Sequence, residues 1–269
     1  MDRKRPTRIR WLLLAWIFVM SGITYLDRVN IAISGGRLAQ EYGLSDVELG
    51  SIFSAFVIGY ALFQIPGGWL ADRFGARRVL TGGALWWGVF TALTASVPAR
   101  LGAALPAFLA VRFSLGAGEA VVYPSSNRFV AHWIPTGERG VANGVIFAGV
   151  GAGAGSTPLL ITAIMARYGW RASFWFCAGI GCLAGLVWFV LARDQPESHP
   201  GVNAAELDLI RAGRTIVTDA APSPQSRLAW RTVLGSREIL ASTFSYYCYG
   251  YTAYIFFTWF FTYLVKVRG

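Results

Sequence analysis

Charge is what this 269-residue chain has least of: Asp, Glu, Lys and Arg together make up 14% of it. Soluble globular chains carry about 25%, so an ordinary water-soluble domain is excluded. A disordered chain is excluded too. Disorder goes with few apolar residues, and 55% of these are hydrophobic. Three cysteines are too few for a disulfide scaffold. Cys177 and Cys182 lie five apart, a poor metal-ligand spacing on a helix. No P-loop, metal cluster or nucleophile–base pair can be found, so enzyme chemistry has no anchor and no cofactor is called for. Acids are scarcer than bases: 14 Asp and Glu face 24 Lys and Arg, a formal net charge of +10.

What the chain has instead is long apolar runs. A bilayer crossing takes about 20 residues, and seven windows qualify. They lie near Trp11–Ile33, Val47–Ala71, Val79–Val97, Leu105–Val130, Val141–Met165, Ser173–Ala192 and Ile239–Val265. The first is too long for the apolar core of a signal peptide, and no small-residue cleavage site follows it. The basic residues sort by side. Arg3, Lys4, Arg5, Arg8 and Arg10 precede the first span. Arg73, Arg77 and Arg78 follow the second, Arg128 and Arg139 border the loop after the fourth, and six arginines lie from Arg193 to Arg237. The opposite loops hold Arg37, Arg100, Arg167 and Arg171. Positive charge gathers in cytoplasmic loops, so the N-terminus is expected inside. The net charge is then a topology signal and not a nucleic-acid site.

The expected organisation is a basic cytoplasmic tail (residues 1–10), a six-helix bundle (11–192), a cytoplasmic linker (193–238) and a seventh helix (239–269). The linker contains Pro196, Pro200, Pro222 and Pro224. Asn203 can cap a short helix there, with Glu206 three residues on and Leu207, Ile210 and Arg214 at helical spacing. A second stretch, Leu228–Leu234, puts Trp230, Val233 and Leu234 on one face. These stretches either lie on the inner membrane surface or are solvated.

The chain also repeats itself. Arg73-Phe74-Gly75-Ala76-Arg77 after span two matches Arg167-Tyr168-Gly169-Trp170-Arg171 after span five, displaced by 94 residues and on the opposite side. Inverted repeats typify secondary transporters, with the substrate site near the midplane. At the same offset Asp27 falls close to Glu119, which puts the intramembrane charges in corresponding spans, one and four.

Four charged side chains fall inside spans: Asp27, Arg28, Arg112 and Glu119. Each costs about 2.5–3.5 kcal/mol at a helix centre on insertion scales. They form either a structural ion pair or a functional polar cavity. Arg112, Gly116, Glu119, Tyr123 and Asn127 make one stripe at helical spacing. On span one, Ser21, Tyr25 and Arg28 share a face, with Thr24, Asp27 and Asn30 on the next. An arginine in a low-dielectric cavity suits a carboxylate or phosphate. Burial and a neighbouring guanidinium act oppositely on a carboxyl, which could then exchange a proton near neutral pH. An anion and a proton meeting around Arg28, Asp27 and Glu119 would be the basis of proton-coupled symport.

The loop Gly68-Trp69-Leu70-Ala71-Asp72-Arg73-Phe74-Gly75-Ala76-Arg77-Arg78 is the most specific motif. Asp72 is expected to pair with a helix end or an arginine across the inner face, with Glu138-Arg139-Gly140 as a candidate partner. The run Gly149, Gly151, Gly153, Gly155 and Pro158 reads as helix packing, and His132 reads as structural. Span seven is rich in Tyr, Phe and Trp. Which of them face a substrate does not follow from spacing.

The Gly68–Arg78 loop resembles the signature between helices two and three of the major facilitator superfamily. Tyr25-Leu26-Asp27-Arg28-Val29-Asn30 resembles the helix-one motif of its anion:cation symporter family. The segments Arg112–Glu119, Tyr123-Pro124, His132–Gly140 and Asp194–Pro200 resemble that family as well. The resemblance implies an all-α membrane protein of the major facilitator fold, whose first six helices form a 3+3 inverted repeat. It implies a twelve-helix transporter of organic anions (sugar acids, aromatic or dicarboxylic acids) in the cell inner membrane, with H+ as coupling ion. Carried over by position, Arg28, Tyr25, Tyr60, Arg112, Tyr123 and Asn127 would contact the anion or its counter-charges. Asp27 and Glu119 would handle the proton, and Gly68, Asp72, Arg73, Gly75, Arg77, Glu138 and Arg139 would serve gating. Some sugar-acid members have a Gln in helix five where this chain has its glycine run. Seven spans are an odd number for such a fold. The chain is therefore expected to lack a C-terminal half and not to transport alone. The alternative is a truncated membrane protein that only binds a ligand or a partner subunit.

Overall fold

A computed structural model of the chain describes residues 5–99, 102–213, 235–264 and 267. Among the described residues the regular elements are all helical: α1 (Ile9–Tyr42), α2 (Asp46–Phe74), α3 (Ala76–Ser96), α4 (Ala104–Glu119), α5 (Val122–Trp133), α6 (Arg139–Tyr168), α7 (Trp170–Leu191), α8 (Ala204–Gly213) and α9 (Arg237–Tyr263). Among the described residues, six stretches are long and apolar enough to cross a membrane, with α4 and α5 together making one of them. The expected fourth span is thus a broken rod. Pro124 has no N–H for the Ala120 carbonyl and its ring crowds that carbonyl, so the helix gives way at Ala120–Val121. The seventh expected span is present as a 27-residue helix, α9. It is not among the six, because its tyrosines, serines and threonines dilute its hydropathy.

The chain divides into two compact units, Met1–Arg214 and Thr215–Gly269. In the second, α9 starts at Ser236, whose side chain accepts from the Ile239 N–H. The stretch Leu228–Leu234 lies outside the described residues.

In the first unit the repeat is a set of matching contacts. Gly75 and Gly169 both adopt positive φ, 87° and 82°, a conformation glycine reaches without strain. Each donates its N–H at 3.0 Å to the carbonyl four residues back, Ala71 and Met165. Arg77 Nε donates to the Phe189 carbonyl at 2.7 Å, and Arg171 Nε donates to the Ala95 carbonyl at 3.2 Å. Each of these residue pairs is related by the same offset of 94. Helix packing obeys it too. A Cβ on Gly59 would overlap the Phe113 carbonyl, and one on Gly116 the Phe56 carbonyl, where α2 meets α4. A Cβ on Gly153 would overlap Gly22, where α6 meets α1. Gly149 packs on α1 as well, whereas Gly151 and Gly155 meet nothing. Half of the glycine run is therefore packing and half is an open face.

The first part of the linker is not free-standing. Asn203 caps α8, accepting from the Glu206 N–H at 2.9 Å. Glu206 then caps another helix. The N-cap of α1, Arg8, makes no side-chain cap, and Glu206 accepts from the Ile9 and Arg10 N–H groups, both at 3.2 Å, and from Thr7 Oγ1 at 2.6 Å. Arg10 Nη1 pairs with the same carboxylate at 3.1 Å, and Glu206 is fully buried. An imported carboxylate satisfies orphan N–H groups and suits the positive end of the helix dipole. Glu206→Ala leaves the Ile9 and Arg10 N–H groups without their acceptor and takes one of two carboxylates from the buried Arg10, so a loss of about 1–3 kcal/mol is expected. Thermal unfolding in detergent should show a clear fall in Tm, and an unchanged Tm would count against this clamp.

Candidate functional site

Helix α1 sends two consecutive charged residues in different directions, because neighbours on a helix are about 100° apart. Arg28 reaches α2 and α4. Its Cζ lies 4.9 Å from the Tyr25 ring centroid, 5.2 Å from Phe56 and 4.4 Å from Tyr60. Its Nε donates to Glu119 Oε1 at 3.1 Å. The arginine side chain is 10% exposed and that of Glu119 is 2% exposed. Each ring contact contributes about 0.5–2 kcal/mol, so this guanidinium is held in place with a tenth of its side chain still exposed.

Asp27 turns into the bundle and is buried. Thr91 of α3 and Cys177 of α7 lie against it, and Glu119 and Arg112 are the charged groups acting on it. Among the described residues, Arg112 Nε, Glu119 Oε2 and Tyr123 Oη have no hydrogen-bond partner. Alongside, Asn30 Oδ1 accepts from Ser34 Oγ at 3.0 Å and Ser173 Oγ at 2.8 Å. So many orphaned polar atoms in one buried region mark a place kept for something other than stability.

The expected stripe on span four divides accordingly. Arg112, Gly116 and Glu119 are buried, Tyr123 is half-buried and stacks on Phe147 with centroids 5.9 Å apart, and Asn127 is exposed. Arg112 is buried, its Cζ 5.0 Å from the Phe56 ring. Phe56 escaped sequence reasoning, since a phenylalanine in an apolar helix carries no signal beyond packing.

At the other cluster, Asp72 Oδ1 accepts from Arg128 Nη1 at 2.8 Å. Asp194 Oδ1 accepts from the Arg77 N–H at 2.9 Å, and a Cβ at Gly75 would run into that carboxylate. A Cβ at Gly68 would touch Pro124 at 3.8 Å, ordinary contact. Arg73 lies over Trp69 and Phe74. Glu138 and Arg139 do not join this loop, contrary to expectation. Glu138 pairs with Arg10 at 3.2 Å, and Arg139 donates to the Ile134 and Ala131 carbonyls. Arg128, which neighbours them in the chain, is closer to Asp72 because it sits on α5 and they sit beyond its end. His132 bonds the Arg128 carbonyl at 2.8 Å, a structural role.

With this geometry in hand, the chain can be set beside known proteins. It matches the model of the Major Facilitator Superfamily over residues 17–269. The chain belongs to that superfamily and is a multi-pass membrane protein. It is 32% identical over 282 residues to the probable galactarate/D-glucarate transporter GudP of Escherichia coli K12, covering 99% of this chain and 61% of that protein. It is 34% identical over 268 residues to the probable sulfoacetate transporter SauU of Cupriavidus necator, covering 99% and 60%. It is 34% identical over 272 residues to a D-galactonate transporter of Escherichia coli, covering 98% and 61%. The chain thus spans about three-fifths of the length of these relatives, which are named as transporters and not enzymes. Among solved structures it resembles an inward-facing bacterial homologue of the lysosomal transporter Spinster (TM-score 0.60, 21% identity, 72% of this chain and 45% of that one). It also resembles the proton:xylose symporter XylE (TM-score 0.60, 19% identity, 76% and 49%). These two likenesses concern the fold.

Proposed function

We propose that the protein carrying this chain is a secondary transporter that moves an organic anion across the cell inner membrane together with protons, by alternating access. The observation that carries this reading is Arg28, a guanidinium fixed by three aromatic rings and one buried carboxylate yet still reachable. A planar cation so held is suited to grip a carboxylate or sulfonate. The relatives' names point to the same class of cargo. Tyr25, Tyr60 and Tyr123 line the approach, and Asn127 lies beyond the break in the helix.

Charge balance supports coupling. Asp27, Arg28, Arg112 and Glu119 are two acids and two bases in a low-dielectric interior, formally neutral together. An incoming anion unbalances the set, and a proton on Asp27 or Glu119 restores the balance. Anion and proton then favour each other's binding, and the preference is reciprocal. At the cytoplasmic ends, the Asp72–Arg128 and Asp194–Arg77 contacts with Gly68, Arg73 and Gly75 would open and close with the cycle, while Glu138 acts through Arg10 and Arg139 through the end of α5. The arginine-rich loops support a cytoplasmic N-terminus.

The test is uptake into membrane vesicles from cells expressing the gene. The panel should hold galactarate, glucarate, galactonate and sulfoacetate, with xylose as the neutral control. Accumulation of at least one anion under an inward proton gradient, and none of xylose, is expected. Uptake of no anion, or of xylose alone, would overturn the reading and favour a protein that only binds.

A further inference from the structure

Phe56 lies under two cations at once. The Cζ of Arg28 is 5.2 Å from its ring centroid and that of Arg112 is 5.0 Å. Both fall within the reach of a cation–π contact. The ring is 3% exposed and stacks on Tyr60, with centroids 6.0 Å apart and 19° between planes. Its backbone is pinned where α2 meets α4, since a Cβ on Gly116 would overlap the Phe56 carbonyl. The backbone that carries the phenyl group is therefore fixed by the close approach of the two helices.

Burial alone does not call for a phenyl here. Leucine or methionine would remove as much apolar surface from water and would form helix at least as well. What they lack is a π face that two like charges can share. Arg28 is the reachable cation and is paired with Glu119. Arg112 is buried and acts on both Asp27 and Glu119. The ring lies against both guanidiniums.

We propose that Phe56 is a positioning residue that keeps Arg28 on the anion side and Arg112 with the buried acids, so that anion binding is felt by Asp27 and Glu119 but not short-circuited by a second guanidinium. The inference rests on the reading of Arg28 as the anion's contact. The titratable groups facing this arrangement are Tyr25 and Asp27 on α1, Tyr60 on α2, Glu119 on α4, Tyr123 on α5 and Cys177 on α7. Without the ring, Arg112 can reach the anion itself. Binding then no longer depends on a proton.

The experiment measures the apparent affinity of the transported anion against pH for wild type, Phe56→Leu and Phe56→Tyr. Wild type should bind more tightly as pH falls, by up to about tenfold per pH unit for one linked proton. Phe56→Leu should bind more weakly, because Arg28 loses one of its three rings, and with the slope flattened to less than about threefold, and Phe56→Tyr should restore the slope. If the leucine variant does not elute as a single peak, Phe56→Met, which adapts to core gaps, replaces it. A wild-type slope without the ring, or a tyrosine variant as flat as leucine, would overturn the inference alone. No anion-dependent signal in wild type would overturn the transport reading as well.

Discussion

Arg28→Gln is expected to lower kcat/KM for anion uptake by about a hundredfold or more, which corresponds to about 2.7 kcal/mol. Two losses combine. The anion loses its charged contact, and Glu119 loses the donor 3.1 Å away, leaving a buried carboxylate beside Arg112. Truncating one member of a buried charge pair costs about 2–5 kcal/mol. Arg28→Lys should recover only part of the rate, because an ammonium cannot lie flat against Tyr25, Phe56 and Tyr60 or make a two-pronged contact. Initial uptake rates at matched membrane abundance decide the matter. A lysine variant with the wild-type rate would remove the guanidinium from the account.

The second large effect concerns the two acids. With one proton moved per anion, a gradient of one pH unit can drive up to about tenfold accumulation, since 1.4 kcal/mol is a factor of ten. Asp27→Asn should abolish that accumulation while leaving exchange of internal for external anion within about twofold, because its side chain packs toward Thr91 and Cys177, away from the Arg28 rings. Glu119→Gln should abolish accumulation and weaken binding too, since it removes the partner of Arg28. The two variants are thus distinguishable by exchange assays. Persistence of pH-driven accumulation in both would rule out these carboxyls as the proton sites.

The contrast between Asp27 and Arg28 shows where sequence reasoning reaches its limit. Their presence inside an apolar span is legible at once, because charge there is costly. That they serve different neighbourhoods is not, because their faces acquire meaning only when α2, α3, α4 and α7 are in place. The repeat is legible through Gly75 and Gly169, whose positive φ fixes the residue type. Its packing glycines, Gly22 with Gly116 and Gly59 with Gly153, share the 94-residue offset but are hard to see among 31 glycines. The expected partnership of Asp72 with Glu138-Arg139 failed for a similar reason. Arg10 and Glu206, nearly two hundred residues apart in sequence, claim that corner, and no local pattern announces a contact of that range. Phe56 was invisible because apolar residues on an apolar helix look alike until a cation lies over one of them.

The central claim is that anion and proton bind to one coupled set of charges. Linkage makes it directly measurable. Purified protein in weakly buffered detergent solution is mixed with the transported anion, adjusted to the same pH, and the proton balance is read with a dye. The account predicts proton uptake on binding, seen as a rise in pH that saturates with the anion, and no such rise in the Asp27→Asn, Glu119→Gln double variant at anion concentrations that still bind. Saturable binding with no proton uptake in wild type, or the same uptake in the double variant, would contradict it.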